Sequence, residues 1–178
     1  MLIVQKFGGS SIADGDRLRR AAGICMRQRQ NGNEVVVVVS AMGDTTDLLA
    51  DRARVLGGKP SPREMDALIT TGEQQSAALL VMTMESLGIP AVSLAGWQAG
   101  IYTDCRYGDS DIRLIAPVRI REALSRGRVP VVTGFQGVCA AGDITSLGRG
   151  GSDTTAVALA AALESDCCEI YTDVDGIY

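Results

Sequence analysis

Thr145-Ser-Leu-Gly-Arg-Gly-Gly-Ser-Asp-Thr-Thr155, with the apolar run Ala156 to Leu163 behind it, reads as a glycine-rich turn opening directly into a helix. Gly148, Gly150 and Gly151 allow positive φ and close backbone approach. Ser152 and Asp153 are the expected N-cap residues, and the run behind them is a strong helix former. Such a turn points unpaired N–H groups and the positive end of a helix dipole at whatever lies in front. Arg149 adds a planar fork suited to a carboxylate or phosphate. An anionic ligand is therefore expected in front of residues 149–153. A polar loop with a good cap would show the same residues, so the rest of the chain must decide.

Working outward, strand and helix patterns alternate. Leu2 to Lys6 is a short apolar strand ending in Phe7-Gly-Gly-Ser-Ser11, and a helix is predicted from Asp14 to Gln30. Val35 to Val39 is an uninterrupted valine run, as expected for a parallel strand buried on both faces. It ends in Ser40-Ala-Met-Gly-Asp-Thr-Thr46, which enters another helix. Arg63 to Leu87 reads as helical, interrupted near Thr70 to Glu73. Ala91 to Leu94 and Val129 to Thr133 read as strands, with a helix from Pro117 to Arg126 between them. Gly96 to Asp111 is polar and turn-rich and is read as a lobe or flap over the site. Gly134 to Thr145 is read as a loop or small hairpin, and Glu169 to Thr172 as the last strand, ahead of Asp173-Val-Asp-Gly176. The alternation predicts a three-layer α/β sandwich with a mostly parallel central sheet. In such folds ligands sit at the carboxyl ends of the strands. The polar clusters Lys6–Ser11, Ser40–Thr46, Thr133–Gly137 and Thr172–Asp175 all fall there, which an incidental capped loop does not explain.

Composition narrows the chemistry. The 178 residues are 46% apolar, 21% charged and only 4% aromatic, with net charge −4. That suits one globular domain and argues against a nucleic-acid surface. No apolar run approaches the ~20 residues that span a bilayer, and the N-terminus lacks a signal-peptide pattern. The five cysteines include no C-x-x-C pair and are expected as mostly buried thiols of a cytoplasmic protein, with Cys167 and Cys168 filling core at a strand start. Histidine is absent, which removes Ser-His-Asp, Cys-His and H-E-x-x-H chemistry. Phosphoryl transfer, which needs mostly positioning and charge neutralisation, remains open.

Two glycine-rich turns fit that reaction. Lys6-Phe-Gly-Gly-Ser10 is no Walker A loop, since its lysine precedes the glycines. Gly8, Gly9 and Ser10 can still offer N–H groups to phosphate oxygens, with Lys6 neutralising charge on a transferring phosphoryl. Glu73 is placed either to bind a substrate ammonium or to open a helix. Asp153 either holds cations in register or caps a helix. Thr172, Asp173 and Asp175 either meet a nucleotide or Mg²⁺ or form a common turn.

Taken together, Lys6-Phe-Gly-Gly-Ser-Ser, Ser40-Ala-Met-Gly-Asp-Thr-Thr46, Thr71-Gly-Glu73, Gly134-Phe-Gln-Gly, Leu147-Gly-Arg-Gly-Gly-Ser-Asp-Thr-Thr155 and Glu169-Ile-Tyr-Thr-Asp-Val-Asp-Gly176 resemble, in order, the signatures of the aspartokinases of the amino-acid kinase superfamily. The resemblance runs over the whole chain and implies that residues 1–178 form most of an amino-acid kinase domain. It implies ATP-dependent phosphorylation of the β-carboxylate of L-aspartate to 4-phospho-L-aspartate, the entry to lysine, threonine and methionine synthesis. By matched position, Lys6 would stabilise the transferring phosphoryl and Asp153 would organise the catalytic lysines. Gly8, Gly9 and Ser10 would cradle ATP, and Thr172, Asp173 and Tyr178 would touch the nucleotide. Ser40, Thr46, Glu73, Arg149, Gly150, Gly151 and Ser152 would bind aspartate. Mg²⁺ would be held mainly by the nucleotide phosphates, with no metal site of protein side chains, and a homodimer is implied.

The family's domain continues beyond the position matched by Tyr178, into a segment bearing an arginine, a second phosphate-binding lysine and the purine wall, and then regulatory ACT domains. The expectation is a piece of a longer chain, with the aspartate site and half of the ATP site, poorly active alone. Two other readings stand beside it. One is a kinase of glutamate, N-acetylglutamate or a nucleotide monophosphate. The other is a non-catalytic module that dimerises with or regulates a complete kinase. Arg149 with Glu73 favours a free amino acid, since an acylated amine would leave Glu73 without purpose.

Overall fold

The valine run decides the layering. In a computed structural model, which describes residues 1–56 and 58–172, Val35, Val37 and Val39 face one helical layer and Val36 and Val38 face the other. A strand's side chains alternate, so an all-apolar strand demands apolar cover on both sides.

The chain runs β1 (Leu2–Phe7), a single 3₁₀ turn (Ser10–Ile12), α1 (Gly15–Gln30), β2 (Glu34–Val39), α2 (Thr45–Arg54), α3 (Pro62–Ile69), α4 (Thr71–Ser86) and β3 (Ala91–Leu94). It continues through β4 (Ile101–Thr103), β5 (Ile112–Ile115), α5 (Val118–Ser125), β6 (Val129–Thr133), β7 (Gln136–Val138), β8 (Ile144–Ser146), α6 (Gly151–Leu163) and β9 (Cys167–Tyr171). Five strands form a wholly parallel sheet in the order β3-β6-β2-β1-β9. On one face α1 and α4 pack Leu18, Ala21, Cys25, Leu80 and Met84 against it. On the other, Ile120 of α5 and Ala156, Leu159 and Leu163 of α6 do the same. This is the three-layer α/β sandwich that the alternation predicts.

Register then fixes where a ligand can sit. Phe7 is level with Val39 and Tyr171, and Val39 with Thr133, so four strands end in one row. Ser40 N donates to Phe7 O, Gly134 N to Val39 O and Gly8 N to Tyr171 O, carrying the ladder one residue further. The loops that follow are thereby laid side by side.

The helix boundaries agree with the local signals. Asp14 caps α1 by accepting from Arg17 N at 2.8 Å. Proline opens α3 at its first turn, Ser61 caps it, and the break at Thr70 separates α3 from α4. Gly134 to Thr145 holds the β7–β8 hairpin.

Two expectations are corrected. Residues 96–111 are not a flap. Ile101–Thr103 is a strand of a second sheet, ordered β5-β4-β7-β8, and Ala99 and Ile101 are fully buried. The β4–β7 pairing within it is parallel and rests on one residue pair, Tyr102 and Val138. The cysteines are also less buried than expected. Cys25 and Cys139 are buried, Cys105 and Cys167 are exposed, and only Cys168 of the adjacent pair packs against the core. β9 starts at Cys167, two residues earlier than the expected strand, on the outer edge among the described strands.

Leu80 is fully buried beneath the sheet. Leu80→Ala is expected to cost about 2–5 kcal/mol, read by denaturant unfolding of the full-length protein. A loss below about 1 kcal/mol would contradict this packing.

Candidate active site

One cleft of about 390 Å³ lies at the carboxyl ends of β1 and β2 and in front of α6, lined by Lys6, Gly9, Ser10, Ser40, Thr46, Glu73, Phe135 and residues 148–153. Of the fifteen expected site residues, eleven line it. Gly8 and Thr172 do not, and Asp173 and Tyr178 lie outside the described residues.

Lys6 is the last but one residue of β1 and is 8% exposed. An ammonium buried at a strand end needs a counter-charge. Asp153 Oδ1 provides it at 2.7 Å from Lys6 Nζ, outside hydrogen-bond alignment, so the contact is an ion pair. Asp153 sits in the first turn of α6, where a helix N-terminus favours negative charge.

The turn before α6 differs from its expected form. Gly150, at φ 77°, holds the N-cap position, and neither Ser152 nor Asp153 caps the helix. Their side chains are thereby released from capping, Asp153 to Lys6. Gly148 is also left-handed, at φ 72°. Gly151 is not. It serves close approach, since a Cβ there would stand 2.9 Å from both Phe135 and Leu147 side chains. The N–H groups of Gly151, Asp153 and Thr154 are taken by Gly148 and Gly150 carbonyls. Those of Arg149, Gly150 and Ser152 have no acceptor among the described residues. Arg149 is exposed and makes no ion pair among them.

The opposing turn shows a similar division. Gly8 N is committed to Tyr171 O, which removes it from the expected phosphate donors. Gly9 N and Ser10 N remain unpaired among the described residues. Gly9 is obligatory for space, because a Cβ there would meet Ala41 O at 2.4 Å. Thr172 lines a separate hollow of about 370 Å³ beside α1, which shares Ser10 with the cleft.

Glu73 stands in the first turn of α4 and is 3% exposed. Its Oε1 accepts from Ala41 N at 3.1 Å, while Oε2 has no hydrogen-bond partner among the described residues. Burial pushes the carboxyl up from 4.5 to about 7, against the backbone hydrogen bonds that lower it. An orphaned carboxylate oxygen in a cleft is a site for a cationic group of a ligand.

Two residues escaped the sequence reading. Phe135, at φ 67°, is a bulky side chain in the left-handed region, held by Thr155 Oγ1 on its N–H and Leu147 N on its carbonyl. Backbone strain of this kind gathers at ligand sites, and the only sequence signal was its place between Gly134 and Gln136. Asp66 is buried in α3 and accepts three hydrogen bonds from Gly108 and Ser146. In sequence it looks like an ordinary helix surface residue.

Comparison with known proteins fixes the family. The profile described as the amino acid kinase family matches residues 1–178. The chain belongs to the amino acid kinase family. The aspartokinase of Mycolicibacterium smegmatis is 57% identical over 178 residues, which are 99% of this chain and 42% of that protein. That of Geobacillus stearothermophilus is 54% identical over 177 residues, 99% of this chain and 44% of its own length. The chain thus spans less than half the length of these relatives. Among solved structures, the aspartate kinase from Synechocystis superposes with a TM-score of 0.85 at 49% identity, covering 99% of this chain and 29% of that one. E. coli aspartokinase III in complex with aspartate and ADP does so with a TM-score of 0.89 at 27% identity, over 100% of this chain and 50% of that one. The amino-acid kinase fold expected from the motifs is the fold observed.

Glu73 yields a signed pH dependence. The folded carboxyl keeps its proton to about 7, whereas an unfolded one releases it near 4.5. The folded state binds more protons in that window, so stability falls as pH rises through it, by roughly 3 kcal/mol in all. Glu73→Gln removes this ionisation. The variant is expected to gain stability relative to its parent between about pH 5 and about pH 8, read as the difference in unfolding midpoints. A difference constant across that range contradicts the assignment.

Proposed function

We propose that this chain carries the amino-acid-binding part of an aspartate kinase, which transfers the γ-phosphoryl of ATP to the β-carboxylate of L-aspartate. The observation that carries the reading is the buried Oε2 of Glu73 in the same cleft as the exposed Arg149, neither with a side-chain partner among the described residues. A carboxylate acceptor and a guanidinium donor in one cleft suit the ammonium and α-carboxylate of a free amino acid. The names of the relatives, and the aspartate and ADP bound by E. coli aspartokinase III, support the same choice.

In this reading Arg149, with the open N–H groups of Gly150 and Ser152, clamps the α-carboxylate. Glu73 Oε2 takes the ammonium, and Ser40 and Thr46 hold the β-carboxylate. A β-carboxylate oxygen attacks the γ-phosphorus as the bond to the ADP oxygen breaks. The acceptor is already ionised near neutral pH, so no general base is required. Gly9 and Ser10 offer N–H groups to the phosphates, and the space that only glycine leaves at residue 9 suits that approach. Lys6 neutralises charge on the moving phosphoryl, and Asp153 orients Lys6. Mg²⁺ would arrive with the nucleotide phosphates. Thr172, Asp173 and Tyr178 are assigned to the nucleotide by resemblance alone, as is assembly into a homodimer. No helix among the described residues is long and apolar enough to cross a membrane, and a cytoplasmic setting is proposed on the resemblance. The product would enter lysine, threonine and methionine synthesis.

The test is ADP release by the full-length protein with L-aspartate, L-glutamate or N-acetyl-L-glutamate. Aspartate-dependent release is expected, and its absence contradicts the proposal. Arg149→Ala should raise KM for aspartate about 10- to 100-fold and KM for ATP less than about twofold, the size of a lost charge-assisted contact. Equal effects on both substrates would place the turn against the nucleotide instead.

A further inference from the structure

Helix α3 lies over the β7–β8 hairpin and is fastened to the second sheet and its loops at three points. Residues 63, 66 and 70 share one helix face by their spacing. At the first point, Arg63 Nε and Nη2 both donate to Asp143 Oδ1, at 2.9 and 2.6 Å, in the hairpin turn. At the last, Gln136 Nε2 of β7 donates to Thr70 O at 2.8 Å. Between them Asp66, 1% exposed, accepts from Gly108 N and Ser146 N at 2.9 Å and from Ser146 Oγ at 2.7 Å.

These attachments lie between the two arms of the cleft. Ser146 is three residues before Arg149, at the end of β8. Thr70 is three residues before Glu73, at the junction where α3 gives way to α4. α3 therefore bridges the segment that delivers Arg149 and the segment that delivers Glu73. Gly148 adds a further constraint, since a Cβ there would stand 2.5 Å from Asp109 Oδ1 in the loop that Asp66 holds through Gly108.

The choice of residue is informative. Packing alone would be served by an apolar side chain, and burying a carboxylate is costly unless it is fully hydrogen-bonded. Both N–H groups fall on Oδ2 and the Ser146 hydroxyl on Oδ1, so the side chain must bring two acceptor positions to one place, and alanine keeps none of the three bonds.

Resting on the function proposed above, we propose that Asp66 is a positioning residue which sets the separation of Arg149 and Glu73, and so the fit of a ligand that must reach both. It touches no substrate itself. The consequence is selective. A two-armed ligand depends on Asp66, whereas a one-armed ligand does not. β-Alanine lacks the α-carboxylate and uses Glu73. Succinate lacks the ammonium and uses Arg149.

The experiment is steady-state kinetics of the full-length protein carrying Asp66→Ala, with β-alanine and succinate as inhibitors competing with aspartate. KM for aspartate is expected to rise about tenfold or more, with KM for ATP and both inhibition constants within about twofold of the parent. Ser146→Ala deletes one of the three bonds and leaves the carboxylate, so it keeps the question open to test should Asp66→Ala fold poorly. It should show the same pattern at about two- to threefold. An unchanged KM for aspartate, or equal weakening of all three ligands, overturns the inference while leaving the proposed function in place. Absence of aspartate-dependent turnover in the unaltered protein contradicts the proposed function and removes this inference with it.

Discussion

The ion pair between Lys6 and Asp153 joins the two parts of the molecule that make a site possible. Lys6 belongs to β1 of the parallel sheet, paired with β2 on one side and β9 on the other. Asp153 belongs to the first turn of the helix that covers the opposite half of the cleft. At 2.7 Å the pair fixes the start of α6 against the end of β1. A lysine held at the end of an apolar strand could not be buried without such a partner. The same contact leaves a cation facing the cleft beside two N–H groups, at Gly9 and Ser10, that are unpaired among the described residues.

Around that pair the polar groups sort by whether the fold has already used them. Gly8 N extends the β1–β9 ladder and is spent on architecture. The helix N-terminus closes half of its own N–H groups inside the turn and leaves Arg149, Gly150 and Ser152 open. Glu73 gives one oxygen to Ala41 and keeps the other. Among the described residues one carboxylate oxygen, one guanidinium and a few amides remain unpaired, and they share one cleft with the Lys6 ammonium that Asp153 holds. That set matches a zwitterionic amino acid and a phosphate better than it matches any single anion. In the proposed function, the anion expected before residues 149–153 is held by one of two arms, this turn, with Glu73 as the other.

Much of this was legible in the sequence. The valines at 35–39 declare a strand covered on both faces, and the polar clusters follow strand ends because strands of similar length in register end together. The α3–α4 break was marked by Thr70 to Gly72, and the hairpin by glycines around Gly137 and Gly142. The second sheet was not legible. Its strands are three or four residues long, Tyr102 and Leu114 are exposed, and its one parallel pairing joins segments far apart in the chain. The capping error at Ser152 and Asp153 arose because side-chain preference favours them, while backbone conformation puts the left-handed Gly150 there. Asp66 gave no local signal and Phe135 only its place after Gly134, since their roles come from partners 42 to 80 and 12 to 20 residues away.

The central claim is that the orphaned oxygen of Glu73 receives the ammonium of the bound amino acid. Calorimetry of L-aspartate binding to the full-length protein, repeated near pH 6.5 in buffers of differing ionisation enthalpy, tests it most directly. Glu73 holds its proton up to about 7 when the cleft is empty of an ammonium, and an opposite charge against it favours the ionised form. Binding should therefore release most of a proton to the buffer, and Glu73→Gln should abolish that release. Binding without proton release, or with the same release in the variant, would contradict the account.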